Sequence, residues 1–215
     1  MLKCSDHQCR WRRRKEARPE EILDAALELF TEKGFSSTRM IDVAKKAGIS
    51  KGTLYLYFES KEAIFKELVK TILSPMVDEA EDVYNQFEGS TSDLIREFVA
   101  GWWSNIWYSP LSAIPKLIIS EAGNFPEMAE FYTETIVKRV RSLFEKIIQR
   151  GIDRGEFKTC DTRSAARLLM APVIHANIWK HSLKPYDAEL DEKNYIDLHI
   201  DIFLSGLKER PKKET

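Results

Sequence analysis

Ser50, Lys51, Gly52, Thr53, Tyr55 and Tyr57 concentrate hydroxyl and ammonium donors on a stretch of residues 50–57 that holds no carboxylate. A solvated helix mixes Glu with Lys, so an exposed surface of donors alone points to an anionic partner rich in acceptors. Phosphate oxygens and base edges of a duplex are such acceptors: the former fix position and the latter carry sequence. The same stretch supplies its own footing. Leu54 and Phe58, four apart, make the buried side of a short helix, and Ser50 is placed to cap its first free N–H groups. Gly48 takes the turn before it, where positive φ costs glycine nothing. A preceding helix opens behind Thr38, a second cap, with Ile41, Val43 and Ala44 turned inward. Residues 38–61 therefore read as a helix-turn-helix whose second helix presents its outer side to a major groove.

No other constellation in the chain competes as chemistry. There is no glycine-rich phosphate loop, no nucleophile elbow and no His-Glu metal spacing, which argues against an enzyme. His175 and His181, six apart, do not share a helical face for a metal. Cys4, His7 and Cys9 lack a fourth ligand and match no zinc spacing, and three cysteines without a disulfide framework fit a reducing compartment. No cofactor and no metal are expected. Through Lys70 there are 15 Lys and Arg against 11 Asp and Glu, and beyond it 18 against 23, so the cationic half is the half with the donor-rich helix. No apolar run is long enough for a membrane span and the N-terminus is charged, so the expectation is a cytoplasmic protein without membrane contact.

The elements that position the donors follow from periodicity. Pro19 suits the first turn of a helix, with Glu20 and Glu21 at its positive end and Ile22, Ala25, Ala26, Leu29 and Phe30 on one stripe. Gly34 stops it. Residues 1–18, rich in Arg and without apolar periodicity, read either as a solubilising tail or as a basic arm along a phosphate backbone. Behind Ser60 a helix keeps one side apolar from Ile64 to Phe87, kinked at Pro75, a rod of roughly 40 Å at 1.5 Å per residue. An aromatic segment follows, with Trp102, Trp103, Trp107 and Tyr108 close together, then a short helix to Glu121 and a long one opened by Asn124 and Glu127 as a capping box. Residues 165–179 and 195–207 are apolar around their whole circumference. Helices of that kind need cover on every side, and a second copy of the same pair supplies it as a four-helix bundle about a two-fold axis.

The run from Ile49 to Phe58, with Ser60-Lys61-Glu62 and Ile64-Phe65 after it, closely resembles the DNA-binding domain of TetR/AcrR-family transcriptional regulators. So does the run from Ile22 to Phe30 with Lys33-Gly34-Phe35 and Ser37-Thr38. The match is specific over residues 19–68 and general beyond. The resemblance implies DNA contacts at Ser50, Lys51, Gly52, Thr53, Tyr55, Tyr57 and Lys61, a homodimer, and an effector that shifts the connecting helix. Leu56 departs from the polar or aromatic residue that some members carry.

The expected fold is therefore all-α, with an N-terminal three-helix helix-turn-helix DNA-binding domain at residues 19–66 and a larger helical ligand-binding and dimerisation domain at residues 67–210. The expected partners are a double-stranded DNA operator, a small apolar or aromatic effector, and a second copy of the chain, in a repressor. The DNA-contacting set is Thr38, Ser50, Lys51, Gly52, Thr53, Tyr55, Tyr57 and Lys61. Trp102, Trp103, Trp107, Glu121, Phe131, Tyr132, His175 and Asn177 are the expected effector set, though each also suits ordinary core packing. Leu169, Val173, Ile196, Ile200 and Phe203 are the expected dimer contacts. A helical protein-interaction module and a DNA-binding protein without a ligand are the alternatives, and the first leaves the donor-rich helix unexplained.

Overall fold

The computed structural model describes residues 6–187 and 191–208, with side chains from residue 19 onward. All regular structure among them is helical. Three helices form the head: α1 (Asp6–Lys33), α2 (Met40–Lys46) and α3 (Lys51–Tyr57). α1 begins at Asp6, so Pro19 lies inside it and does not start it. Arg, Lys, Gln, Ala and Glu between residues 8 and 18 are strong helix formers, and propensity carries the helix back where no apolar stripe marks it. Cys4, and the side chains of His7, Cys9 and the basic residues before Pro19, lie outside the described residues, and with them the reading of a basic arm.

The rod expected behind Ser60 is present as α4 (Lys61–Leu68), a π-helical turn (Val69–Leu73) and α5 (Ser74–Gln86). Ser60 Oγ caps it, accepting from Ala63 N at 3.2 Å. Pro75 has no N–H to return to the preceding turn, and the widened turn sits immediately before it, in place of a sharp kink. The body then comprises α6 (Thr91–Trp102), α7 (Ile114–Glu121), α8 (Pro126–Tyr132), α9 (Lys138–Asp153), α10 (Thr162–Ile178) and α11 (Glu192–Leu207). A further π-helical turn (Thr133–Val137) joins α8 to α9, as another (Trp103–Trp107) extends α6. The expected capping box at Asn124 does not form: Asn124 turns back to Glu121, and Phe125 holds the cap position without a side-chain bond.

Among the described residues two large apolar cores result, with a small third cluster of Ile148, Ala165 and Ala166. One contains Ile22, Phe30, Phe35, Leu54, Ile64, Phe65 and Leu68 of the head and rod, and continues through Ile114, Leu117, Met128 and Tyr132 of α7 and α8. The head is thus built into the near end of the body, across the expected division at residue 66. The other joins α6, α9, α10 and α11 through Leu94, Leu143, Ile147, Leu169, Ile196 and Ile200. Arg139 of α9 pins the rod from the side, reaching Asp78 at 2.6 Å, Glu81 at 2.8 Å and Ser74 at 3.2 Å. Among the described residues no helix is long and apolar enough to cross a membrane.

Candidate nucleic-acid interface

α3 is only seven residues long and cannot stand alone, so its neighbours fix it. Gly48, at φ +66°, makes the turn from α2. Ser50 Oγ accepts from Thr53 N at 3.0 Å and shares a proton with Thr53 Oγ1 at 2.9 Å, which leaves one of the two hydroxyl protons available to an outside acceptor. Leu54 is fully buried and Phe58 nearly so. Lys51, Gly52, Tyr55 and Leu56 are exposed, with Thr53 and Tyr57 half-buried beside them. Lys51 Nζ stands 5.7 Å from the Tyr55 ring. The neighbouring Lys46 pairs with Glu28 of α1, while Lys45 is exposed. Ile41, expected in the core, is about half exposed on α2.

Two of the expected DNA contacts are occupied otherwise. Thr38 is 2% exposed, and its hydroxyl donates backwards to Gly34 O at 2.8 Å and Leu29 O at 3.2 Å, closing the end of α1 where it was expected to cap α2. Arg39 is the cap residue of α2, without a side-chain bond. Lys61 Nζ donates to Phe35 O at 2.6 Å and Ser36 O at 3.1 Å, and lies over the rings of Phe35 at 4.6 Å and Phe125 at 5.0 Å. Its charge neutralises the carbonyls of the turn after α1, so it stabilises the head and is not aimed outward.

Glu121 is likewise spoken for. It is 8% exposed at the end of α7, where Oε1 accepts from Ser36 N at 3.0 Å and Oε2 from Ser36 Oγ at 2.7 Å and Asn124 Nδ2 at 3.2 Å. Burial pushes its carboxyl up, but the Ser36 and Asn124 donors and the nearby Lys61 charge outweigh it and hold the group below its ordinary value. Glu121 therefore bolts body to head.

The remaining expected effector residues separate into three places. Trp102, Trp103 and Trp107 satisfy one another: Trp103 stacks on Trp107 at 4.4 Å, and Trp102 stands 5.9 and 5.7 Å from them. Trp107 is fully buried and donates Nε1–H to Glu192 Oε2 at 2.8 Å, with Lys180 4.5 Å over its ring. Beneath it Ser112 Oγ meets His181 Nε2 at 2.9 Å, and burial, with the Lys180 and Lys116 charges, pushes that imidazole down to about 4. Phe131 and Tyr132 sit elsewhere, against the rod: Tyr132 lies 6.5 Å from Phe65, and Phe131 lies 5.8 Å from Lys66 Nζ. His175 is exposed beside Tyr195. Asn177 is 1% exposed; its Nδ2 donates to Val173 O at 2.8 Å, and its Oδ1 has no hydrogen-bond partner among the described residues. A groove of about 310 Å³ between α6 and α11 is floored by Val99, Trp103, Ile196 and Ile200 and rimmed by Arg96 and Lys193.

Of the expected dimer contacts, Leu169, Ile196 and Ile200 belong to the chain's own second core, with Val173 and Phe203 half-buried against it. The exposed large apolar residues of the last two helices are Leu168 at 66%, Leu198 at 53% and Ile202 at 64%. One step along a helix turns a side chain by about 100°, which separates Leu168 outside from Leu169 inside.

Residues 22–68 match the family model described as bacterial regulatory proteins, tetR family, and residues 88–192 match that of the tetracyclin repressor-like C-terminal domain. The HTH-type transcriptional regulator YhgD of Bacillus subtilis is 30% identical over 176 residues, 80% of this chain and 89% of that one. The HTH-type transcriptional repressor KstR2 of Rhodococcus jostii is 25% identical over 193 residues, 87% and 91% of the two chains. The structure of FadR from Bacillus subtilis in complex with stearoyl-CoA superposes with a TM-score of 0.71 at 22% identity, covering 87% of this chain and 98% of that one.

Proposed function

This chain belongs to the TetR family of bacterial regulatory proteins, and we propose that it is a homodimeric cytoplasmic repressor, released from a palindromic operator when a small apolar or aromatic molecule binds its body. The family's members are DNA-binding transcription regulators and not enzymes. The observation that carries the reading is the outer surface of α3. Lys51, Tyr55 and a free hydroxyl proton from the Ser50–Thr53 pair stand on it, and Leu54 and Phe58 hold it in place from behind. One helix of this length makes too few base contacts to find a site in a genome. Two, related by a two-fold axis, read a palindrome, with Leu168, Leu198 and Ile202 as the surface that joins them.

For the effector, Asn177 offers a buried acceptor without a donor among the described residues, and the groove beside Trp103 offers an apolar floor. That a protein of the same fold is bound to stearoyl-CoA makes long-chain acyl thioesters the first molecules to test. Mobility shift with the DNA upstream of the protein's own gene tests the regulator: binding that weakens steeply with salt supports it, and none at low salt sinks it. Release of the bound DNA, together with a tryptophan fluorescence change, identifies the effector. The self-packed tryptophans favour a second reading, a repressor that answers to no small molecule. Silence across a broad ligand library favours that one.

A further inference from the structure

Leu56 is 86% exposed, although its neighbours Leu54 and Phe58 are buried. At 100° per residue it lies about 160° from each of them, in opposite senses, so it occupies the outward apex of α3. Gly52, one turn earlier, lies about 40° from the same line. A Cβ built there meets only Ser50 Oγ, at 3.8 Å, so the apex carries no side chain ahead of Leu56. The donors flank this line. Lys51 and Tyr55 stand on one side, and Thr53 and Tyr57 on the other.

We propose that Leu56 is a specificity-determining residue, whose isobutyl group reads the C5-methyl of a thymine on the floor of the major groove. The inference rests on the regulator reading and adds to it a base and an atom. When a helix enters a groove, its flanks meet the phosphate walls and its apex meets the base edges. Donors on both flanks suit the walls. An apex of glycine and leucine has no hydrogen bond to offer the floor. Of the groups displayed there, the thymine methyl is the one that an apolar side chain satisfies. Against cytosine or guanine, the leucine would cover the N4 donor or the O6 acceptor and leave it unpaired, so the same residue also selects against the wrong base. Bare Gly52 lets the helix backbone come close enough for this contact.

The test uses the full chain and duplexes selected from a random library. In the selected site each thymine is replaced singly by deoxyuridine, which removes the methyl and keeps the pairing. Wild type is expected to lose roughly three- to tenfold in affinity at one thymine per half-site, and Leu56→Ala to bind the two duplexes alike. Leu56→Gln is expected to move the preference at that position toward adenine, which glutamine pairs with bidentately. Leu56 contributes nothing to the core, so unchanged melting curves for both variants exclude a folding defect. Wild type that binds its site but shows no methyl-sensitive position overturns the inference and leaves the regulator reading standing, as does an equal penalty in wild type and Leu56→Ala. Failure to select any duplex sequence overturns both.

Discussion

Lys51 and Lys61 carry the same charge ten positions apart and act in different directions. Lys51 points out beside Tyr55, whereas Lys61 points in to the carbonyls of Phe35 and Ser36. Lys51→Ala is expected to weaken operator binding about uniformly across sequences, as loss of a phosphate contact does, and to reduce the salt slope by about 1. Lys61→Met is expected to leave that salt dependence intact and to cost about 1–3 kcal/mol of stability by stranding the carbonyls, read as a fall in melting temperature. Glu121 sets a pH dependence. Its carboxyl is held below its ordinary value in the folded chain, so the stability it adds is present above 4.5 and is lost as pH falls through the folded value. Melting of wild type and Glu121→Gln across pH 3–7 is expected to differ most at the neutral end and to converge at the acid end. The sequence shows a carboxylate at Glu121 and an ammonium at Lys61, but their partners lie 85 and 25 positions away and are partly backbone atoms. No local pattern marks such a partner, so the sequence alone presents both as charges free to face a ligand.

At the scale of elements, α3 depends on Leu54. A seven-residue helix has no intrinsic stability to speak of, and Leu54 is completely enclosed. Leu54→Ala is expected to cost about 2–5 kcal/mol and to abolish DNA binding by loosening the reading helix, seen as a lower melting temperature together with loss of the shifted band. The caps at Ser50 and Ser60 and the glycine turns at Gly34 and Gly48 were legible because each is a short-range device with one physical job. The start of α1 was not, since a run of charged helix formers leaves no stripe to read. α10 and α11 are hard to read for a different reason. Apolar residues all round indicate that both faces are covered, but not which is covered by the chain itself: Leu169 and Ile200 lie in its own core, whereas Leu168 and Ile202 stand exposed.

Over the whole molecule, that exposed face is where the proposed dimer is expected to close. Leu168→Glu combined with Ile202→Glu is expected to halve the mass seen by sedimentation while keeping the helical circular dichroism of the monomer. A Leu169→Ala change is expected to lower the melting temperature by cavity formation, without that change in mass. Operator affinity should collapse in the first case, because one reading helix is left where two are needed.

The shared core of head and body has a mechanical result. With Phe65 of the rod packed on Tyr132 and Glu121 tied to Ser36, head and body are joined at two separate points, and each protomer is expected to move as one caliper arm. In the proposed dimer the pivot is then the seam between the two arms, and an arm of about 40 Å swung through 5° carries its tip about 3.5 Å along the double helix. A slight rolling at that seam is enough to put one tip out of step with its groove while the other stays seated.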